Sequence, residues 1–425
     1  MSTRRFSHKA ALTALLCLIF VALPLGAAAQ TKTKIVHWQH SSPARDEMMK
    51  RLAQEFMAAN PDVEVEVQVY PLAEYLNKVL VALAGGAGPD TMQVRSNWVP
   101  WLIPSGMVQP LAESLITTEE IDTEFIPGPL EPLKGADGRY YGLPTDVQTV
   151  VLFYQPQLFE AVGLDGNRPP TTWQEAVEAG RRIARFGPDG QTERMGLATG
   201  GYEPVLISLM LQNGAVLWDE AEKLPRLDSK EATDALQWAA DLVTVHRVED
   251  PGFGSRWTAF RNETLGMVYA HPAMMGSFRS THPDLEFGIV EIPAPEPGGS
   301  QTSLVTSWSL TVTSQASDPE LATEWLLFVQ SKESQERWFL ETGELPTRFE
   351  VIQQPSLRED PLYEPIMWSL VRAVSQPWIS DDVNPTIRAA WNRLRQGEAP
   401  PEVFATMQLE AVNAEKATRA ERGLD

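Results

Sequence analysis

The chain has 425 residues, a formal net charge of −21 and a single cysteine. This charge argues against binding to nucleic acid or to an anionic membrane surface, because both are themselves negatively charged. One cysteine forms no internal disulfide, and a chain of this length can bury a core large enough to be stable without one. The length predicts two domains.

The N-terminus has the three parts of a secretory signal peptide. Basic residues precede an apolar stretch over residues 10–25, and residues 27–29 offer an A-x-A cleavage site. We therefore expect residues 1–29 to be removed on export to the periplasm or another extracytoplasmic space. Since that segment carries three basic residues and no acid, the mature chain has a net charge of about −24. Cys17 follows a leucine where a lipoprotein signal has a small residue, so a lipid anchor is not expected.

Strand and helix patterns alternate after the signal peptide. Valines at every second position from Val63 to Val69 predict a strand with one wet face, and apolar residues four apart predict a helix before it. The predicted strands and helices of this first region are, in chain order, a strand at 34–38, a helix from Ser42-Pro43 to about 60, a strand at 63–69, a helix at 73–84 and a strand at 92–94. This order predicts a parallel α/β layer.

A second α/β region follows the turn at Asp137-Gly138. An apolar run over residues 150–154 predicts a central strand, and Thr172 to Glu175 has the capping-box pattern that opens a helix. Residues 228–231 are predicted to cap a further helix. Residues 303–313 return as a strand, after which the chain is predicted to be mostly helical.

Short motifs stand at characteristic places along the whole mature chain. They are Trp38 at the end of the first strand, Asn60-Pro61, Gly88-Pro89-Asp90, Tyr141-Gly142-Leu143-Pro144 with Tyr154, Thr172-Trp173, Phe260 with Gly266-Met267, Ser307-Trp308 and the run from Gly343 to Arg348. Their order and spacing resemble the family 1 extracellular solute-binding proteins of ABC importers. That group includes maltose-type, other oligosaccharide-type and glycerol-phosphate-type binding proteins.

The resemblance implies an α/β type II periplasmic binding protein fold, in which two lobes enclose a ligand cleft. By similarity we place one lobe at residues 30–145 plus 303–338 and the other at residues 146–302 plus 339–425. The lobes of such proteins close over a small carbohydrate like a hinge, and permease subunits in the inner membrane recognise the closed form. We expect a monomer that uses no cofactor and no metal and has no catalytic activity.

Five candidate ligand residues lie where strands end, since open α/β sheets bind ligands at that edge. Trp38, His40 and Ser41 follow the first predicted strand, and Asn97 and Trp98 follow the third. Aromatic rings can cover the apolar face of a sugar, and polar side chains can bond its hydroxyls. Alternatively, the tryptophans pack within their own lobe and His40 only orders its loop.

Two segments that cross between the lobes supply four more candidates. Asp146 and Gln148 form a short polar run, and a carboxylate can accept hydrogen bonds from two neighbouring sugar hydroxyls. A capping or hinge role is the alternative for both. Ser307 and Trp308 interrupt a strand of small and β-branched residues, where a large ring either packs in the core or stacks on the ligand. The resemblance favours stacking for Trp308.

Three further candidates rest chiefly on the resemblance. Tyr202 and Met274 lie in predicted loops of the second lobe, and Arg348 could contribute a planar guanidinium fork. Surface or hinge roles are equally compatible with the sequence at these positions.

The motifs of several other functions are missing from the sequence. The glycine-rich run is not followed by the lysine of a phosphate-binding loop, no G-x-S-x-G elbow is present, and the spacing of His37 and His40 does not suit zinc. A polysaccharide-active enzyme and a binding protein that serves a membrane sensor remain alternatives. A glycerol phosphate ligand is another, for which Arg95, Arg256 and Arg348 could supply cations.

Overall fold

A computed structural model describes residues 32–424. The predicted signal peptide, residues 1–29, lies outside these residues. The strands are β1 (Thr33–His40), β2 (Val63–Tyr70), β3 (Thr91–Arg95), β4 (Val108–Gln109), β5 (Gly142–Gln148), β6 (Val151–Tyr154), β7 (Arg185–Phe186), β8 (Thr192–Ala198), β9 (Trp218–Asp219), β10 (Leu224–Pro225), β11 (Leu265–Ala270), β12 (Gly288–Glu291), β13 (Leu304–Thr313) and β14 (Val374–Ser375).

The helices vary in length from single turns to a long C-terminal helix. They are α1 (Pro43–Ala59), α2 (Leu72–Ala84), α3 (Val99–Leu102), α4 (Thr118–Glu124), α5 (Pro127–Leu130), α6 (Pro156–Glu160), α7 (Trp173–Ile183), α8 (Glu203–Gln212), α9 (Lys230–Thr244), α10 (Arg256–Arg261), α11 (Met274–Thr281), α12 (Pro319–Val329), α13 (Lys332–Thr342), α14 (Phe349–Ile352), α15 (Pro355–Arg358), α16 (Glu364–Val371), α17 (Val383–Leu394) and α18 (Pro400–Arg422).

The first sheet has the strand order β14-β13-β3-β1-β2, and β4 and β5 also pair with β13. β1 runs parallel to both β2 and β3, as the alternation of strand and helix predicts. β13 runs antiparallel to β3 and β5. Because β13 comes late in the chain, this sheet joins segments that are far apart in sequence.

The second sheet has the order β12-β6-β11-β8-β7. Its strand β6 is buried on both faces, so its four apolar residues face two different clusters of side chains. Leu152 and Tyr154 belong to a cluster that includes residues of helices α7, α8, α9 and α17, whereas Val151 and Phe153 belong to a cluster that includes residues of α10, α11 and α16. This alternation follows from the two-residue period of a strand.

The chain passes from the first sheet to the second between Gln148 and Val151 and returns to the first at Leu304. A third apolar cluster, which includes Trp325 and Phe56, packs against the first sheet. The molecule is therefore α/β with two large separate sheets, and β9 and β10 form a small third one. The lobe boundaries at residues 145, 302 and 338 stay a prediction.

Some predicted helix caps differ from those in the structure. The hydroxyl of Thr172 accepts a hydrogen bond from the backbone of Glu175, but the Glu175 carboxylate accepts from Thr171 and not from Thr172, so the capping box is incomplete. Ser42 makes no side-chain cap for α1. The cap of α9 is Ser229, which lies inside the predicted segment. Serine and threonine neighbours compete for such roles, and sequence alone does not rank them.

Candidate functional site

A cleft of about 420 Å³ lies where elements of the first sheet meet the starts of two helices. On one side it is lined by residues that follow β3 and by parts of β5 and β13. On the other side lie the first residues of α8 and α17 and the loop before α17. The polypeptide thus reaches the cleft from segments spread over most of its length.

Trp308 of β13 is a half-buried aromatic residue in this cleft. Its indole stacks on the imidazole of His40, with ring centroids 3.7 Å apart and an interplanar angle of 23°. The edge of Trp98 packs against it at 6.0 Å. His40 thus covers one face of the indole, and Cζ of Arg45 and Cζ of Arg95 lie 5.8 Å and 5.6 Å from its ring centroid.

His40 is held neutral beneath this ring. Nη1 of Arg45 lies 2.9 Å from Nε2 of His40 and can only donate, so Nε2 is the acceptor and the proton is assigned to Nδ1. Burial, together with the charges of Arg45 and Arg95, lowers the pKa of His40 to about 3. A neutral imidazole stacked on Trp308 gives the ring a fixed position.

Asp146 lies directly opposite Trp308 in the pairing of β5 with β13. The register shifts immediately after this pair, so that Ser309 pairs with Pro144 and Thr145 is left between them as a β-bulge. The Asp146 side chain is buried and accepts a hydrogen bond from the Thr145 hydroxyl at 3.1 Å. The bulge sets a carboxyl group beside the aromatic ring.

The environment of Asp146 favours its protonated form. Burial and the negative charge of Glu344 raise its pKa to about 8, against the opposing effect of the positive charge of Arg45. Nη2 of Arg45 is itself 2.8 Å from Glu344. A protonated carboxyl group can donate one hydrogen bond and accept others, which suits a hydroxyl-rich ligand.

Asp381 connects the two sides of the cleft. Its carboxylate accepts hydrogen bonds from Nη1 of Arg95 at 3.2 Å, Nδ2 of Asn97 at 3.3 Å and Nε1 of Trp98 at 3.2 Å. Arg95 is the last residue of β3 and the other two donors follow it, whereas Asp381 precedes α17. One acidic side chain therefore ties the loop before α17 to the first sheet.

Six of the predicted ligand residues line the cleft, and one of them has an unused polar atom. Those that line it are Asn97, Asp146, Gln148, Tyr202, Ser307 and Trp308. Oε1 of Gln148 is buried and has no hydrogen-bond partner among residues 32–424. An unsatisfied buried acceptor is costly, so this atom is available to a ligand donor.

His40 and Trp98 do not line the cleft but support Trp308 from behind, as described above. Trp38 is buried against Tyr70, with ring centroids 5.0 Å apart. Ser41 donates a hydrogen bond to Asp46 at the start of α1. Trp38 and Ser41 thus take the packing and loop-ordering roles that the sequence left as alternatives.

Met274 and Arg348 lie away from the cleft. Met274 packs against the apolar cluster beneath α10 and α11. The Arg348 guanidinium pairs with Glu124 and with Glu350, and it lies 4.9 Å from the ring centroid of Phe125. The expectation that these two side chains line the ligand cleft is wrong for the structure described, because each is engaged by its own local partners.

Sequence reasoning missed several charged residues of the cleft. They are Arg45, Glu203, Glu344 and Asp381. None follows a strand end, and Glu344 alone belongs to a motif, the run from Gly343 to Arg348. Two lie on helices and two in loops, where charged residues are common for reasons of solubility alone. Only the folded arrangement distinguishes them from surface charges.

Two further properties of the described residues bear on function. Within residues 32–424, no three His, Cys, Asp or Glu side chains are grouped as metal ligands. No helix in this part of the chain is both long and apolar enough to cross a bilayer.

Residues 41–336 match the family model of the bacterial extracellular solute-binding proteins. The chain belongs to this family. This solute-binding protein is similar to an arabinooligosaccharide-binding protein of Halalkalibacterium halodurans, with 28% identity over 316 residues that cover 70% of this chain and 67% of the relative. A maltotriose-binding protein of Pyrococcus abyssi is 22% identical over 84% of this chain and 75% of its own length.

The fold of the solute-binding protein matches solved structures over almost its whole length. The sugar-binding protein MalE from Xanthomonas citri has a TM-score of 0.79 at 21% identity, covering 92% of this chain and all of that one. A cyclo/maltodextrin-binding protein complexed with maltotetraose has a TM-score of 0.74 at 20% identity, covering 91% and 97%. The predicted family and the two-lobe α/β fold are confirmed.

Proposed function

We propose that this solute-binding protein captures an oligosaccharide outside the cytoplasm and delivers it to the permease of an ABC importer. The observation that carries this proposal is the half-exposed Trp308 ring, fixed by His40 and set beside the buried carboxyl of Asp146. The two relatives described above are named for arabinooligosaccharide and maltotriose binding, which supports the same ligand class.

The chemistry of the cleft suits a sugar. A pyranose or furanose ring has an apolar C–H face that can lie on an indole, and its hydroxyls both donate and accept hydrogen bonds. Trp308 supplies the flat surface, Gln148 supplies a free acceptor, and a protonated Asp146 supplies a donor as well as an acceptor. A ligand of this class satisfies Oε1 of Gln148, which is otherwise buried without a partner among residues 32–424.

The same arrangement supports closure of the lobes over the ligand. A ligand shifts a two-state equilibrium only as far as it binds one state better than the other, so it must touch both sides of the cleft. Trp308 and Asp146 belong to the first sheet, whereas Tyr202 and Asn384 lie at the starts of α8 and α17. A sugar between these groups stabilises the closed form that a permease recognises.

Glycerol phosphate is not favoured as the ligand of this cleft. The two arginines that line the cleft both form ion pairs, Arg45 with Glu344 and Arg95 with Asp381. The four acids that line it are Asp146, Glu203, Glu344 and Asp381. A phosphate ester requires convergent cations without such partners. The similarity to an sn-glycerol-3-phosphate-binding protein of Brucella abortus extends over only 39% of this chain.

We further propose that the protein is a monomer without catalytic activity, that residues 1–29 direct its export, and that the lobes divide at the predicted boundaries. Size-exclusion chromatography tests whether the protein is a monomer. N-terminal sequencing of the exported protein tests whether residues 1–29 are removed. Incubation with each ligand that binds, followed by analysis of products, tests for turnover. A hydrolysed ligand would establish the enzyme alternative.

Ligand binding is tested by thermal unfolding of the mature protein with arabino- and malto-oligosaccharides, monosaccharides, polyols and sn-glycerol 3-phosphate. A ligand present at one hundred times its Kd adds about 2.7 kcal/mol to the free energy of unfolding, which raises the Tm by several degrees. We expect a shift with one class of oligosaccharide. A shift with sn-glycerol 3-phosphate alone would overturn the proposal.

A further inference from the structure

A second cavity, of about 470 Å³, adjoins the main cleft. Tyr202 lines both. Glu203 of the main cleft also forms an ion pair with Arg388, which lines the second cavity. The two cavities are therefore neighbours that share Tyr202 as a lining residue.

Helix α17 runs along both spaces. Asn384 and Pro385 at its start line the main cleft, and Arg388, Trp391 and Arg395 line the second cavity. The spacing of three or four residues places these side chains on one face of the helix. The helix thus forms a continuous wall from the first cavity to the second.

Arg256 at the start of α10 is the central charge of the second cavity. Its guanidinium lies 4.2 Å from the ring centroid of Trp257 and 5.4 Å from that of Tyr202. Nη1 donates to the neutral carbonyl oxygen of Thr199 at 3.3 Å, and Nε is buried with no partner among residues 32–424. Burial lowers the pKa of Arg256, and the negative charge of nearby Glu249 opposes this shift without forming an ion pair with the guanidinium.

The backbone is shaped to leave room for this guanidinium. Gly200 and Gly201 both have positive φ, at 66° and 57°. A Cβ at Gly200 would overlap the Arg256 guanidinium, and a Cβ at Gly201 would lie 2.5 Å from the Trp391 ring. Only glycine permits both the conformation and the close approach.

The second cavity is lined by three arginines and two acids, and among residues 32–424 only one of these arginines, Arg388, forms an ion pair, with Glu203. Its lining cations are Arg256, Arg388 and Arg395, and its lining acids are Glu249 and Asp250. The Glu249 carboxylate already accepts three hydrogen bonds, from Thr199 N and Oγ1 and from Gly200 N. Arg395 donates only to the neutral amide oxygen of Asn392. Neither Arg256 nor Arg395 has a carboxylate partner in the described part of the chain.

We propose that the second cavity binds the carboxylate of an acidic sugar unit, at one end of the oligosaccharide that occupies the main cleft. A planar guanidinium matches a carboxylate with two parallel hydrogen bonds, and flanking aromatic rings suit the sugar that carries it. This inference rests on the proposed function and narrows it to uronate-containing oligosaccharides.

The experiment compares matched pairs of ligands by titration calorimetry. Each pair is a neutral trisaccharide and the same trisaccharide with one terminal primary alcohol oxidised to a carboxylate, in the arabino- and malto-series where such an alcohol exists. We expect the acidic member of one pair to bind at least tenfold more tightly. Arg256→Gln should reduce that preference to less than twofold, and Arg395→Gln should reduce it partly. Arg182→Gln, at an exposed arginine of α7, is the control.

The outcomes separate the two proposals. Equal binding of both members by the wild-type protein, or a preference that survives in both cavity variants, would overturn the inference and leave the proposed function intact. Acetate, inorganic phosphate or sn-glycerol 3-phosphate binding at Arg256 as tightly as the acidic trisaccharide would show an independent anion site and also overturn it. Failure of every trisaccharide to bind would overturn both proposals. If Arg256→Gln does not fold, Arg395→Gln alone decides the test, because the inference requires that it reduce the preference for the acidic trisaccharide.

Discussion

The imidazole of His40 and the indole of Trp308 form a stacked pair with centroids 3.7 Å apart. The pair joins β1 to β13, two strands that are not neighbours in the sheet. Its consequence is that Trp308 contributes to the stability of the unliganded protein and to ligand binding at the same time. The two contributions must therefore be measured separately.

Trp308→Ala is expected to weaken binding of the best oligosaccharide by about thirtyfold, which corresponds to about 2 kcal/mol. Loss of the stack should also lower the free energy of unfolding of the unliganded protein by about 1–3 kcal/mol. Calorimetric titration measures the first effect and denaturant unfolding the second. Trp368→Ala is the matched control, because Trp368 is 49% exposed on α16 and does not line the cleft. Equal affinity in both variants would remove Trp308 from the site.

Asp146 should make the unliganded protein less stable as the pH rises. Its pKa is about 8 in the folded state and about 3.9 when unfolded, so between these values the folded state holds the extra proton. The contribution of Asp146 to the free energy of unfolding is fully present below pH 4 and is lost as the pH rises through 8. The free energy of unfolding then falls by at most about 1.4 kcal/mol per pH unit. Asp146→Asn should remove the dependence, measured by denaturant unfolding at pH 5, 6, 7 and 8.

Subtracting the free energy of unfolding of Asp146→Asn from that of the wild-type protein at each pH removes the effect of the titrating groups that both proteins share. Glu344 and Arg45 are the charged groups that act on Asp146, and both remain in the variant. Asp137→Asn is the control, because Arg139 lowers the pKa of Asp137 and its effect is confined to acid pH. If the difference in the free energy of unfolding between wild-type protein and variant stays constant from pH 5 to 8, Asp146 is ionised throughout that range.

Asp381→Ala is expected to loosen the contact between the two sides of the cleft. The carboxylate accepts from three donors, so its removal leaves Arg95, Asn97 and Trp98 without that partner. We expect about a tenfold loss of ligand affinity and a larger radius of gyration by small-angle scattering before ligand is added. Asp382→Ala, at the exposed neighbouring residue, should change neither quantity. Identical scattering from both variants would contradict a role for Asp381 in holding the cleft.

Gly200→Ala should destabilise the protein more than Gly190→Ala. Both glycines have positive φ, at 66° and 80°, so alanine introduces about 1–2 kcal/mol of backbone strain at either position. At Gly190 nothing lies within 4 Å of the added methyl group, whereas at Gly200 it overlaps Arg256 and adds about 1–3 kcal/mol. Denaturant unfolding measures the difference. An equal decrease in the free energy of unfolding in both variants would mean that the Arg256 side chain moves away from the added methyl group at no cost.

Regular patterns of apolar residues predicted the elements of the first region closely. The strand predicted at residues 63–69 is β2, and the helix predicted at residues 73–84 is α2. Local periodicity decides such elements because each residue's environment repeats along the element. Side-chain neighbours are not decided in this way. Trp38 and His40 both lie on β1, yet one contacts Tyr70 and the other Trp308.

Long-range pairing explains which site residues the sequence did not reveal. The three donors bound by Asp381 precede it by more than 280 residues, and the loop that holds it has no distinctive motif. Arg348 is the converse case, since its motif suggested the cleft but its guanidinium pairs with Glu124, far earlier in the chain. Neither partner can be chosen from a single sequence, because any of many acids or bases would serve.

Strand β13 has a consequence for how the chain acquires its structure. Ser309 of this strand pairs with Val94, more than two hundred residues earlier, and β13 lies between β3 and β14 in the sheet. Because β14 pairs with β13, the first sheet cannot be completed until residue 375 has been synthesised, which is about nine tenths of the polypeptide. Contacts of such large sequence separation make folding slow.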